Sequence, residues 1–166
     1  MSKKSIYIAN PEHLQSRAST PLETSRDVPG VPSDGSETVV PIESDADIVV
    51  ARQRGREMGA ELGFEAGDLA LIATAISELA RNIVIYAERG EIVLRKHVEG
   101  ARRGIVVISR DEGPGISDIS LAMRDGHSTS GGLGLGLPGV RRLMDDFEIE
   151  SLSGRGTAVM VRKWKR

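Results

Sequence analysis

From Val39 onward the hydrophobic positions recur with the periods of regular elements. Val39 to Ile42 reads as a short strand, and Ser44 followed by Asp47 forms an S-x-x-D capping box that opens a helix. Ile48, Ala51, Gly55, Met58, Gly59 and Leu62 share one stripe of it, the two glycines allow a close neighbour, and Gly63 stops it. A second helix is predicted from Glu65 to Arg89 with Gly90 as its stop. Leu69, Ile72, Ala73, Ile76, Ala80, Ile83 and Ala87 give it a core face. Strands are predicted from Glu91 to Val98 and from Gly104 to Arg110, joined by a turn and paired antiparallel. Pro138 suits the first position of a third helix on which Val140, Leu143, Met144 and Phe147 share a face. Two last strands, 147–152 and 157–164, are hinged at Ser153-Gly154-Arg155-Gly156. Helices and hairpins in this order predict an α+β fold of two layers, with helices on one face of a mixed, mainly antiparallel sheet.

Before Val39 the pattern is absent. Residues 1–38 are rich in Ser, Thr, Pro and acidic side chains, and Pro11, Pro21, Pro29 and Pro32 interrupt any helix or central strand. This composition predicts a disordered tail ahead of one domain over residues 39–166. It reads either as a docking or regulatory segment or as a plain extension.

Composition narrows the function classes. A chain of 166 residues, 39% hydrophobic and 28% charged, is long enough for a core without disulfides or structural metal. With no cysteine, thiol catalysis and cysteine-ligated metal are excluded. A net charge of -2 and a pI near 6.0 argue against a general nucleic-acid binder. The basic end Arg162-Lys163-Trp164-Lys165-Arg166 reads as a solvated strand end or as a binding patch. No apolar run approaches the ~20 residues of a membrane span, and the N-terminus lacks the apolar core of a signal peptide, so a cytoplasmic protein is expected, away from membranes.

Three stretches carry candidate chemistry. Glu78 and Asn82, four residues apart, point the same way from the second helix, opposite its core stripe. Leu71, Ala75 and Ile85 lie on that same side, so the face is covered, and a carboxylate and an amide among apolar residues are costly unless a ligand or network satisfies them. Asp111-Glu112-Gly113-Pro114-Gly115-Ile116 follows an apolar strand, which puts Asp111 at a strand end. Alone, this string is either an ordinary turn or a close approach of backbone to ligand. Ser130 to Gly139 is a glycine-rich loop entering a helix, either a linker or a phosphate cradle of bare amides; it is neither a Walker A loop nor a dinucleotide fingerprint.

Together, and in this order, the stretches resemble the GHKL ATPase and kinase superfamily, whose fold is the Bergerat α/β sandwich. Glu78-Leu79-Ala80-Arg81-Asn82 is similar to its N box, Asp111-x-Gly113-x-Gly115 to its first glycine box, and Gly132-x-Gly134-x-Gly136 to its lid box. Gly154-Arg155-Gly156-Thr157 is similar to the closing G-x-G-T, and the resemblance spans residues 39–166. Within the superfamily, 72–82, 125–134 and 137–145 most resemble RsbT-like serine/threonine kinases, the anti-sigma regulatory kinases of bacterial stress signalling. The long N-terminal segment departs from them.

The resemblance implies ATP and Mg²⁺ as cofactors. It implies that Glu78 is the general base, that Asn82 coordinates Mg²⁺, and that Asp111 accepts a hydrogen bond from the adenine amino group. Gly113 and Gly115 would let the chain pass the base, and Thr157 would support the adenine side. The backbone of Gly131, Gly132, Leu133, Gly134, Leu135 and Gly136 would hold phosphate. The implied partners are STAS-domain scaffold or antagonist proteins of a stressosome and a downstream output protein such as a PP2C-type phosphatase. The alternatives are an anti-sigma factor kinase that holds a sigma factor, and an adaptor that binds ATP without transferring it.

Overall fold

Asp47 Oδ2 accepts hydrogen bonds from the backbone N–H groups of Glu43 and Ser44, at 2.9 and 3.0 Å, and so closes the turn that starts the first helix. The structure, a computed structural model, describes residues 6–8, 37–124 and 135–166. Its elements in chain order are β1 (Ile6–Ile8), β2 (Glu37–Ile42), α1 (Asp45–Glu61), α2 (Ala66–Asn82), β3 (Gly90–Glu99), β4 (Arg102–Asp111), α3 (Ile119–Ala122), α4 (Gly136–Leu143), β5 (Asp146–Leu152) and β6 (Gly156–Trp164). A π-helical turn, Ile83–Ala87, extends α2.

The strands form one sheet in the order β1-β5-β6-β4-β3-β2, antiparallel throughout except for β1, which runs parallel to β5. The helices pack on one face, as expected. All six residues of the predicted α1 stripe are buried, and Gly55 and Gly59 face Ile76 and Leu69 so closely that a Cβ at either would collide with them. Gly63, at φ +81°, follows the last turn of α1. Ile72, Ile76, Leu79 and Ile83 of α2 and the turn after it join Ile42, Ile92, Leu94, Ile105, Val107, Phe147 and Val161 of the sheet in the main core.

Several expectations are corrected. The second helix keeps α geometry only to Asn82, widens into the π turn, and ends at Glu88, which has a positive φ of 66°. The third begins at Gly136 and ends at Leu143, so Pro138 lies inside its first turn, and Phe147 belongs to β5, where it is still buried. The disordered tail read over 1–38 is amended twice: Ile6–Ile8 pairs with Phe147–Ile149, and Glu37–Thr38 already belong to β2. Its other residues lie outside the described ones. Ala66–Ala87 does have the length and composition to cross a bilayer, contrary to the sequence reading. Here it is the core helix: Ile72, Ile76, Leu79 and Ile83 are buried against α1 and the sheet, although Ile85 and Tyr86 are exposed.

The basic C-terminus is a strand end. Arg162 pairs with Asp146 at 3.2 Å, Lys163 Nζ donates to the Leu143 carbonyl at 3.1 Å, and Arg166 reaches Asp145 at 3.3 Å.

Candidate functional site

The ends of β4 and β6 approach the last turn of α2 and the first turn of α4 around a cavity of about 350 Å³. The structure brings Asn82, Asp111, Gly115, Gly136 and Thr157 onto its wall, five of the residues singled out from sequence. Leu79, Leu137 and Val159 line it with apolar surface. A largely apolar slot with a few convergent polar groups suits a flat heterocycle carrying polar substituents.

Backbone constraint fixes the strand side. Asp111 is the last residue of β4, paired in register with Thr157 of β6. Its Oδ1 accepts from the Gly113 N–H at 2.9 Å. Burial pushes its carboxyl above the usual aspartate range, against the lowering effect of hydrogen bonds from the Gly113 and Thr157 backbone. Gly115 has φ +73°, and a Cβ there would strike the Leu152 carbonyl; Gly156, at φ +112°, would strike the carbonyl of Asp111. Glycine is therefore required at both positions by conformation and by space. Gly113 lies against Ala87 and is not on the cavity wall.

One residue that the sequence did not signal joins these loops. Ser151 Oγ accepts from the Ile116 N–H at 2.7 Å, reaches the Gly156 carbonyl at 3.1 Å, and shares a 2.8 Å hydrogen bond with Thr157 Oγ1. The Gly154 N–H donates to the Pro114 carbonyl at 2.6 Å, so the two glycine motifs hold each other directly. Tyr86 and Ser109 also line the cavity and were not foreseen. Tyr86 sits in the π turn, and Ser109 alternates with Asp111 along β4 onto the same face, which strand period alone could have indicated.

The helix side is different. Glu78, one turn before Asn82, is only 2% exposed and lies outside the cavity wall, with the Arg81 guanidinium 3.3 Å from its Oε1. Ala75 is buried on that side and Ile85 is exposed, so the cover predicted from sequence is only partial. Gly131, Gly132, Leu133 and Gly134 lie outside the described residues; Leu135 precedes α4, and Gly136 opens it beside the cavity.

Among the described residues no cluster of three His, Asp or Glu side chains could hold a metal. Asn82 offers a single amide oxygen. The donor set therefore fits Mg²⁺ that arrives with phosphate oxygens and waters as its other ligands, and does not fit a resident ion.

Residues 42–163 match the family model described as the histidine kinase-like ATPase domain. The chain is 52% identical over 130 residues to the serine/threonine-protein kinase RsbT of Bacillus subtilis (strain 168), covering 78% of this chain and 98% of that protein. It is 35% identical over 103 residues to an anti-sigma F factor of Thermoanaerobacter sp. (strain X514), covering 58% of this chain and 71% of the relative. A solved mycobacterial sensor histidine kinase, MprB, superposes with a TM-score of 0.46 at 19% identity, over 76% of this chain and 97% of the other.

Proposed function

From the premise that the chain belongs to the histidine kinase-like ATPase domain family, we propose that it is an ATP-dependent protein serine/threonine kinase that acts as a partner switch. The observation that carries this reading is the cavity itself, with Asp111 and Thr157 on its strand side, Asn82 at the end of α2, and the start of α4 beside them. That spread suits a nucleotide, with base at one end and phosphates at the other.

The roles follow from the side chains. Asp111 accepts from the adenine amino group, an interaction that guanine, with a carbonyl oxygen at that position, cannot make. Gly115 lets the backbone pass the base, and Thr157, held by Ser151, supports its other side. Backbone amides from Gly131 to Gly136 and the positive end of α4 hold phosphate. Mg²⁺, when bound, neutralises the phosphate charge, with Asn82 as its protein ligand. Glu78 accepts the proton of the serine or threonine hydroxyl while that oxygen bonds to the γ-phosphorus and ADP leaves. For this, the Glu78 carboxyl, buried beside Arg81 and outside the cavity wall, must come within reach of the acceptor hydroxyl.

The partners in this reading are STAS-domain scaffold or antagonist proteins of a cytoplasmic stressosome, whose phosphorylation frees the kinase to activate an output protein such as a PP2C-type phosphatase. The RsbT relative favours this arrangement. The anti-sigma F relative favours the second reading, a kinase that holds a sigma factor and phosphorylates its antagonist. Incubation with labelled ATP and STAS proteins from the same genome is expected to label serine or threonine on at least one of them. ATP binding with no transfer to any would overturn the kinase in favour of an adaptor, and co-purification of a sigma factor would shift the reading to the second.

A further inference from the structure

Along β4 the side chains that face the helical layer are Ile105, Val107, Ser109 and Asp111. The first two are buried in the main core, and Asp111 ends the strand at the cavity wall. Ser109 stands between them and is only 5% exposed. Ile92 and Val159 lie opposite it on the neighbouring strands, and Leu79 of α2 shares its part of the cavity wall. These three neighbours are apolar and belong to the main core.

A hydroxyl in such a place needs a partner, and the fold supplies none. Among the described residues no hydrogen bond reaches Ser109 Oγ. His97 Nδ1 and Arg162 Nε also lack partners, but they are sealed inside the protein. Ser109 Oγ is not sealed, and the free space beside it is the cavity that the residue lines. A buried hydroxyl without a partner is costly, whereas alanine would fill the position without that cost. The neighbouring polar side chains are already engaged, Asp111 Oδ1 with the Gly113 N–H and Thr157 Oγ1 with Ser151.

The chemistry of adenine offers the missing partner. Its amino group is a donor flanked by two ring-nitrogen acceptors, N1 and N7. As a carboxylate, Asp111 can only accept, so it satisfies the amino group and neither ring nitrogen, while a serine hydroxyl can donate. Residues i and i+2 of a strand stand about 6.6 Å apart on one face, close enough for both side chains to reach one edge of a single heterocycle. On the premise that the cavity holds ATP, as read above, we infer that Ser109 is a further base-recognition residue. Its hydroxyl donates to a ring nitrogen beside the amino group that Asp111 takes, directly or through one water. Acceptor and donor two residues apart on β4 then read the adenine edge as a pair.

Calorimetry of the full-length chain with ATP, 1-deaza-ATP and 7-deaza-ATP tests this, since each analogue replaces one of the two ring nitrogens by C–H. The wild type is expected to bind one of the analogues about 3- to 10-fold more weakly than ATP, the usual share of one neutral hydrogen bond. Ser109→Ala is expected to lose a similar factor toward ATP and to bind that analogue as well as it binds ATP. A serine with a merely structural role would weaken ATP and both analogues by one common factor and keep the wild-type discrimination. That result, or undiminished ATP affinity in Ser109→Ala, would overturn the assignment and leave the kinase reading intact. A wild type that binds no ATP would overturn both. Urea midpoints without nucleotide add an independent measurement. Loss of an unpartnered hydroxyl should leave Ser109→Ala at least as stable as the wild type, and a clear drop would reveal a partner within the fold and count against the contact with adenine.

Discussion

At the strand side of the cavity, Asp111, Gly115 and Thr157 hold their places through backbone. They sit in paired strands, in a glycine with positive φ, and in loops tied by Ser151 and by the Gly154–Pro114 hydrogen bond. At the helix side, Asn82 and Glu78 are side chains on successive turns of α2, and Glu78 is paired with a part-exposed arginine, Arg81. A ligand thus meets a preformed surface at one end and the amide of Asn82 at the other, while Glu78 lies buried one turn away, outside the cavity wall and beside Arg81. In the proposed reading, recognition rests on the fixed end, and transfer rests on Glu78, which must come away from its buried position beside Arg81.

The largest expected effect tests the movable end. Glu78→Gln should retain nucleotide and slow phosphoryl transfer by roughly 10²- to 10⁴-fold, the usual contribution of a general base. An undiminished transfer rate with bound ATP would remove Glu78 from the mechanism and leave the fixed end as the whole of the site.

Asp111→Asn probes the fixed end and should weaken ATP binding by roughly 10- to 100-fold, in line with ~1.5–3 kcal/mol for a hydrogen bond to a charged group. The same substitution has a pH signature in the nucleotide-free protein. Burial raises the Asp111 pKa, so the folded chain holds that proton more tightly than the unfolded chain. The contribution of Asp111 to stability is therefore full below the ordinary aspartate value of about 3.9 and is lost as pH rises through the raised one. Urea midpoints should show the wild type losing ground to Asp111→Asn across that window. A gap independent of pH would mean that Asp111 is not strained by burial.

Asn82→Ala should cost about tenfold in nucleotide affinity when Mg²⁺ is present and little in its absence, ~1.4 kcal/mol for one ligand in a shell shared with waters and phosphate. Equal loss with and without Mg²⁺, measured by calorimetry, would make Asn82 a direct contact to the nucleotide. The smallest effect belongs to Ser151→Ala, which removes a hydroxyl that joins the Ile116 N–H to Thr157. Stability should fall by about 0.5–1.5 kcal/mol, and ATP affinity by no more than a few-fold. A loss as large as that of Asp111→Asn would show that the loops are held by this one side chain and not by their backbone.

The sequence displayed the fixed end well because backbone requirements leave marks in residue type. A glycine that must take positive φ, or that faces a carbonyl as Gly115 faces Leu152, can be nothing else, and so the motifs stood out. Helix stripes and strand periods gave five of the six strands among the described residues, and the helical layer, for the same reason, since burial repeats with the element. Ser151 was invisible because it contacts Ile116, 35 residues away, and serine in a strand announces nothing. The π turn was also hidden, since Ile83 to Ala87 continues a helical pattern by composition. Ile6–Ile8 was missed because three apolar residues beside a polar, proline-rich stretch are too few to establish a period.

That π turn also changes what the chain can tolerate in length. A ring closed from residue i to i+5 holds one residue more than an α turn needs, so Ile83–Ala87 is a place where a single deletion returns the helix to ordinary geometry. The cost would appear downstream, where each residue of an α-helix is worth about 100° of rotation. Gly90, wedged between Ile83 and the Arg110 carbonyl, would have to move or β3 would have to slip, and a slip of one residue turns its core side chains to the other face. Deleting one residue there is therefore expected to be felt both at Tyr86 beside the cavity and in the register of β3.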